Sequence, residues 1–76
     1  MDKNEKFEVV YMFQDPMDGH MDGDYLGDID VEGLLEDYPE ISESQLEEIK
    51  KDGEGTIILN YITGDMLKLT YIGEEQ

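Results

Sequence analysis

The 76 residues carry 21 acidic side chains against five lysines and no arginine, for a formal net charge of −16. Direct nucleic-acid binding is not expected of such a chain, because Lys and Arg drive that contact by displacing counterions from phosphate, and anionic membranes should repel it. The absence of cysteine removes disulfides, thiolate zinc sites and a cysteine nucleophile together.

From Lys6 to Gln14, Phe7, Val9, Tyr11 and Phe13 recur at period two among β-branched and aromatic neighbours, which predicts a strand. Pro16, Gly19 and Gly23 interrupt it. A weaker strand is expected from about Asp24 to Asp30, with Tyr25 pointing inward, although Gly27 and the aspartates disfavour it. Asp30 can cap a short helix that holds Leu34 and Leu35 and ends near Tyr38, ahead of Pro39. The next helix is better specified. Ser42 and Gln45 form a capping box, Ile41 and Leu46 stand at the two positions of a hydrophobic staple, Lys50 and Lys51 occupy the last turn, and Gly53 follows it.

Thr56–Ile62 and Met66–Ile72 read as a hairpin turning around Thr63, Gly64 and Asp65. With Gly64 and Asp65 as loop residues, Ile62 pairs with Leu67 and Asn60 with Leu69. One face then carries Ile58, Ile62, Leu67, Leu69 and Tyr71, and the other Ile57, Leu59, Tyr61, Met66 and Ile72. Both faces are apolar, so one needs the Leu34–Leu35 segment, a second copy of the chain or a partner to cover it. The expected fold is a single α+β domain over residues 1–76, ordered β-β-α-α-β-β. Its antiparallel sheet has three or four strands packed with one or two short helices, and residues 1–5 and 74–76 are frayed. No apolar run is long enough to span a bilayer and no basic-then-apolar leader is present, so a cytoplasmic location is expected, in a bacterial host if the source is a phage.

The charge is not evenly spread. Residues 14–54 hold fifteen acids and two lysines, a balance of −13, whereas residues 55–73 sum to zero. Calcium is one candidate for this acidic stretch. Aligned on Asp18 as the first position of an EF-hand loop, His20, Asp22, Gly23 and Asp24 fall at positions 3, 5, 6 and 7, but the bidentate acid needed at position 12 is Ile29. No metal site or cofactor is therefore expected. Catalysis has little support either. His20 is the only histidine, carboxylate pairs are inevitable among so many acids, and aspartates that would repel phosphate surround Gly19, Gly23 and Gly27.

Solubility alone is served by a net charge of roughly 2–8, so −16 suggests selection for a negative field. Carboxylates two apart on a strand stand about 6.6–6.8 Å apart, and those four apart on a helix about 6 Å. Both spacings are close to those of successive backbone phosphates. In size and charge the chain resembles the small acidic DNA-mimic inhibitors of phages and other mobile elements, among them antirestriction proteins, uracil-DNA glycosylase inhibitors and acidic anti-CRISPR proteins. That resemblance implies an inhibitor that occludes the basic groove of a nuclease, CRISPR effector or repair enzyme. The residues expected to carry it are Asp22, Asp24, Asp28, Asp30 and Glu32 as an extended row, then Glu36, Asp37, Glu40, Glu43, Glu47 and Glu48, with Tyr25 and Tyr38 able to stack on partner arginines or to shield the sheet. The alternative is a small acidic adaptor that binds a basic or apolar partner surface, sensitive to replacement of Leu59 or Tyr61. The two-sided hairpin also allows a homodimer.

Overall fold

A computed structural model describes residues 2–74. Strands β1 (Glu5–Gln14) and β2 (Met21–Asp30) are followed by helices α1 (Val31–Asp37) and α2 (Glu43–Asp52), then by strands β3 (Glu54–Asn60) and β4 (Asp65–Glu74). All neighbours in the sheet are antiparallel, in the order β2-β1-β4-β3. This is the expected α+β domain in the expected element order. Of the residues expected to fray, Glu5 and Glu74 are placed as partners at the end of the β1–β4 pairing. Residues 1, 75 and 76, also expected to fray, lie outside the described residues.

Local chemistry accounts for the helix limits. The Gly33 N–H donates to Asp30 Oδ1 at 2.7 Å, which satisfies one of the orphan donors of α1. At α2 the Gln45 N–H donates to Ser42 Oγ and the Ser42 N–H to Gln45 Oε1, a complete capping box. Ile41 and Leu46 are both buried beside it. Gly53 closes α2 at φ 91°, in the left-handed region that only glycine enters without strain, and its N–H donates to the Ile49 carbonyl at 2.7 Å.

Both helices lie on one side of the sheet. Phe7 and Val9 of β1, Ile57 of β3, and Leu67 and Leu69 of β4 join Val31, Leu34, Ile41, Leu46 and Ile49 in one buried cluster, with Tyr11, Ile29, Leu35, Tyr38, Leu59 and Tyr71 half-buried around it. Neither helix crosses to the other side. That open face carries the row Gly23–Met12–Met66–Ile58, next to it Tyr25–Val10–Lys68–Thr56, and then Asp28–Glu8–Thr70–Glu54.

Two expectations about facing are corrected. Ile57 pairs with Leu67 and Ile58 with Met66, so Ile57 and Leu59 face the helices while Ile58 faces out. The cause is Asn60, whose Oδ1 accepts the N–H groups of Ile62 and Thr63 and draws Tyr61 and Ile62 into the turn, so that Ile62 pairs with nothing on β4. In β2, Val9 pairs with Gly27 but Val10 with Tyr25, which leaves Leu26 as an extra residue. This bulge turns Tyr25 from the helix side to the open side, where it is 64% exposed.

One buried charge anchors the first strand. Glu5 is enclosed beneath the end of α2, where its Oε1 accepts from Lys50 Nζ and from the Tyr71 hydroxyl, while its Oε2 has no hydrogen-bond partner among the described residues. The Lys50 contact, helped by the Tyr71 hydroxyl and opposed by desolvation, holds the Glu5 carboxyl below the usual glutamate range. Its stabilisation is therefore present above the unfolded-state carboxyl pKa and is lost as the pH falls through the lower folded value. Glu5→Gln is accordingly expected to melt below the parent at neutral pH, with the gap closing in acid. Thermal melts of both proteins across the acid range check this.

Candidate functional site

The acids predicted as a partner surface are not one row. Asp22 and Asp24 stand opposite Phe13 and Tyr11, whereas Asp28 and Asp30 stand opposite Glu8 and Lys6, so the Leu26 bulge places the two pairs on opposite faces of β2. Asp30 is committed as the cap of α1, and Glu32 lies in the first helical turn rather than on an extended segment. The continuous strand of carboxylates from Asp22 to Glu32 is thus corrected to shorter groups.

On the helix-bearing side these groups keep useful spacings. Asp22 and Asp24 are two apart on one strand face, about 6.8 Å between positions. Glu32 and Glu36 on α1, and Glu43 and Glu47 on α2, are each one turn apart at about 6 Å. Glu32, Glu36, Asp37, Glu40, Glu43, Glu47 and Glu48 are all exposed. On the open face the acids are Asp28 together with Glu8 and Glu54, two residues that pattern reasoning did not select. Pairing across all four strands makes that row, which no local spacing in the sequence marks.

The two tyrosines separate. Tyr38 ends α1 and packs half-buried against the core, which makes it a shield for the sheet. Tyr25 stands free on the open face, its hydroxyl donating to Asp28 Oδ1 at 3.3 Å. Desolvation, followed by the charges of Asp28 and Glu8, raises its phenol above the ordinary range.

A second kind of surface lies at the far end of the sheet. The β1–β2 and β3–β4 turns project from the same end, with Met17, Tyr61 and Ile62 respectively 93%, 85% and 96% exposed. Met21 and Ile58 extend this apolar tip toward the open face. Tyr61 was expected to matter for an apolar contact, and its position allows that. Leu59 instead packs half-buried on the helix side.

Among the described residues no three metal-ligating side chains converge. Residues that an EF-hand would need as loop, Met21 to Ile29, are paired as strand against β1. No helix among the described residues is long and apolar enough to cross a membrane. No protein-family model, no curated protein and no solved structure matches the chain.

Proposed function

We propose that this domain is a nucleic-acid mimic that occludes the basic groove of a DNA- or RNA-binding protein, such as a nuclease, a CRISPR effector or a repair enzyme. The observation that carries this reading is the run of exposed carboxylates on the helix-bearing side, held at strand and helix spacings near those of a phosphate backbone. Regular strands and helices set these positions before any partner arrives, which limits the ordering entropy that opposes binding. Such binding starts fast through long-range attraction and weakens steeply with salt.

The test is capture from bacterial lysate on the immobilised protein at about 0.05 and about 0.2 M salt, followed by elution with duplex DNA or RNA. Proteins retained only at the lower salt and released by nucleic acid support mimicry. Retention of proteins that nucleic acid does not displace overturns it.

The apolar tip favours a second reading, an adaptor that binds through Tyr61 and Ile62. That contact would be nearly indifferent to salt, and the double variant Tyr61→Ser/Ile62→Ser would lose it, since buried aromatic anchors dominate such interfaces. For the mimic, the same variant is expected to bind as the parent does. Comparing the two proteins in the capture assay decides between the readings.

A further inference from the structure

Among the described residues β3 is an edge strand with β4 as its one neighbour in the sheet, so its outer backbone N–H and C=O groups face away from the other described strands. A cleft of about 440 Å³ runs between this edge and α2. One wall is the helix face bearing Ser44, Gln45, Glu48 and Asp52, and the other is formed by Glu54, Gly55, Thr56 and Ile57 of β3. Ile49 and Ile57 supply its apolar floor. Gly55 makes the close approach of strand and helix possible, because a Cβ there would stand 2.7 Å from Ile49 Cγ1.

We propose that this cleft takes an extended, lysine- or arginine-bearing segment of a partner protein, which adds to β3 as a fifth strand. Three features select that occupant. An open strand edge recognises an extended backbone through main-chain hydrogen bonds, whatever the side chains. The acids Glu48 and Asp52 on the helix side, and Glu54 on the open side, present negative charge to both rows of an added strand's alternating side chains. A second copy of this chain would bring its own charge of −16 to the same groove and be repelled. The regular edge runs from Glu54 to Ile58, where the β3–β4 register shifts, so about five residues of a partner can pair. This site does not depend on nucleic-acid mimicry, since its specificity lies in the backbone edge and in acids that line a cleft.

The probe is a capped peptide alternating lysine and valine, about seven residues long so that it overhangs the pairing segment. A second peptide has the same sequence and charge with alternate backbone nitrogens methylated, which removes the hydrogen bonds of one edge. Binding is followed by titration while the backbone amide resonances of the protein are recorded. The unmodified peptide is expected to bind saturably, with the largest shifts at Glu54–Ile58 and along the Ser44–Asp52 face of α2. The methylated peptide should bind at least about tenfold more weakly. The variant Glu48→Gln/Asp52→Asn should weaken the unmodified peptide by a similar factor without changing the far-ultraviolet circular dichroism. Equal binding of the two peptides would mean that charge alone attracts them and would overturn the proposal. So would shifts centred away from β3, or no saturable binding.

Discussion

Converting Asp22, Asp24, Glu36 and Asp37 together to lysine is expected to cut affinity for a basic-grooved target by about a thousandfold while raising the melting temperature. Each reversal removes an attraction and installs a repulsion at a partly hydrated interface, about 1 kcal/mol per site on a conservative dielectric, and every 1.4 kcal/mol is tenfold in affinity. The net charge moves from −16 to −8, which relieves self-repulsion in the folded state. The fold should tolerate the change. All four residues are exposed, and α1 has no basic residue in its last turn, where lysines at 36 and 37 would favour the helix dipole. Opposite Asp24, the Tyr11 hydroxyl of β1 donates to Asp65 at 2.8 Å and does not depend on Asp24. Isothermal titration against a protein captured through its nucleic-acid groove, paired with thermal melts, reads both effects. Unchanged affinity in a folded variant would remove the helix-bearing side from the interface.

Leu46→Ala is expected to cost about 3 kcal/mol, within the range measured for fully buried leucines. Leu46 is wholly buried where the hydrophobic staple of α2 meets the sheet. For a domain of this size the loss corresponds to a fall of about 15 °C in melting temperature. It is also a large part of the whole stability that a chain of this length ordinarily has. Ile58→Ala makes a sharp comparison. Ile58 is 42% exposed on the open face, so its truncation should cost under about 1 kcal/mol. Denaturant unfolding of the two variants measures the difference. A cost at Ile58 equal to that at Leu46 would mean that the two faces of β3 are exchanged.

That pair of residues also marks how far the sequence could be read. The helices were legible because caps are local chemistry: Asp30, Ser42 with Gln45, and Gly53 each act within a few residues of the end they define. The first strand was legible because Phe7 and Val9 repeat at the period of a half-buried strand. What escaped was parity. Ile62 and Tyr61 look like strand, yet the Asn60 side chain bonds the backbone two and three residues on and turns the chain earlier. An odd shift of register then exchanges the faces of β3. The bulge at Leu26 does the same in β2, and so both the outward Tyr25 and the split of Asp22 and Asp24 from Asp28 went unseen. The β3 cleft depended on which strand lies at the edge, an outcome of pairing across the whole chain.

The strand order has a consequence for how the domain comes into being. β1 and β4 are the two central strands, joined from Glu5↔Glu74 to Met12↔Met66. A ribosome therefore delivers the sheet's middle in two instalments, with β2, both helices and β3 made in between. Until β4 emerges, the β1–β2 hairpin and the two helices have no surface on which to finish burying Phe7, Val9, Leu34 and Leu46. Nascent chains halted before residue 65 should consequently stay protease-sensitive, because what they lack is the keystone of the sheet and not its margin.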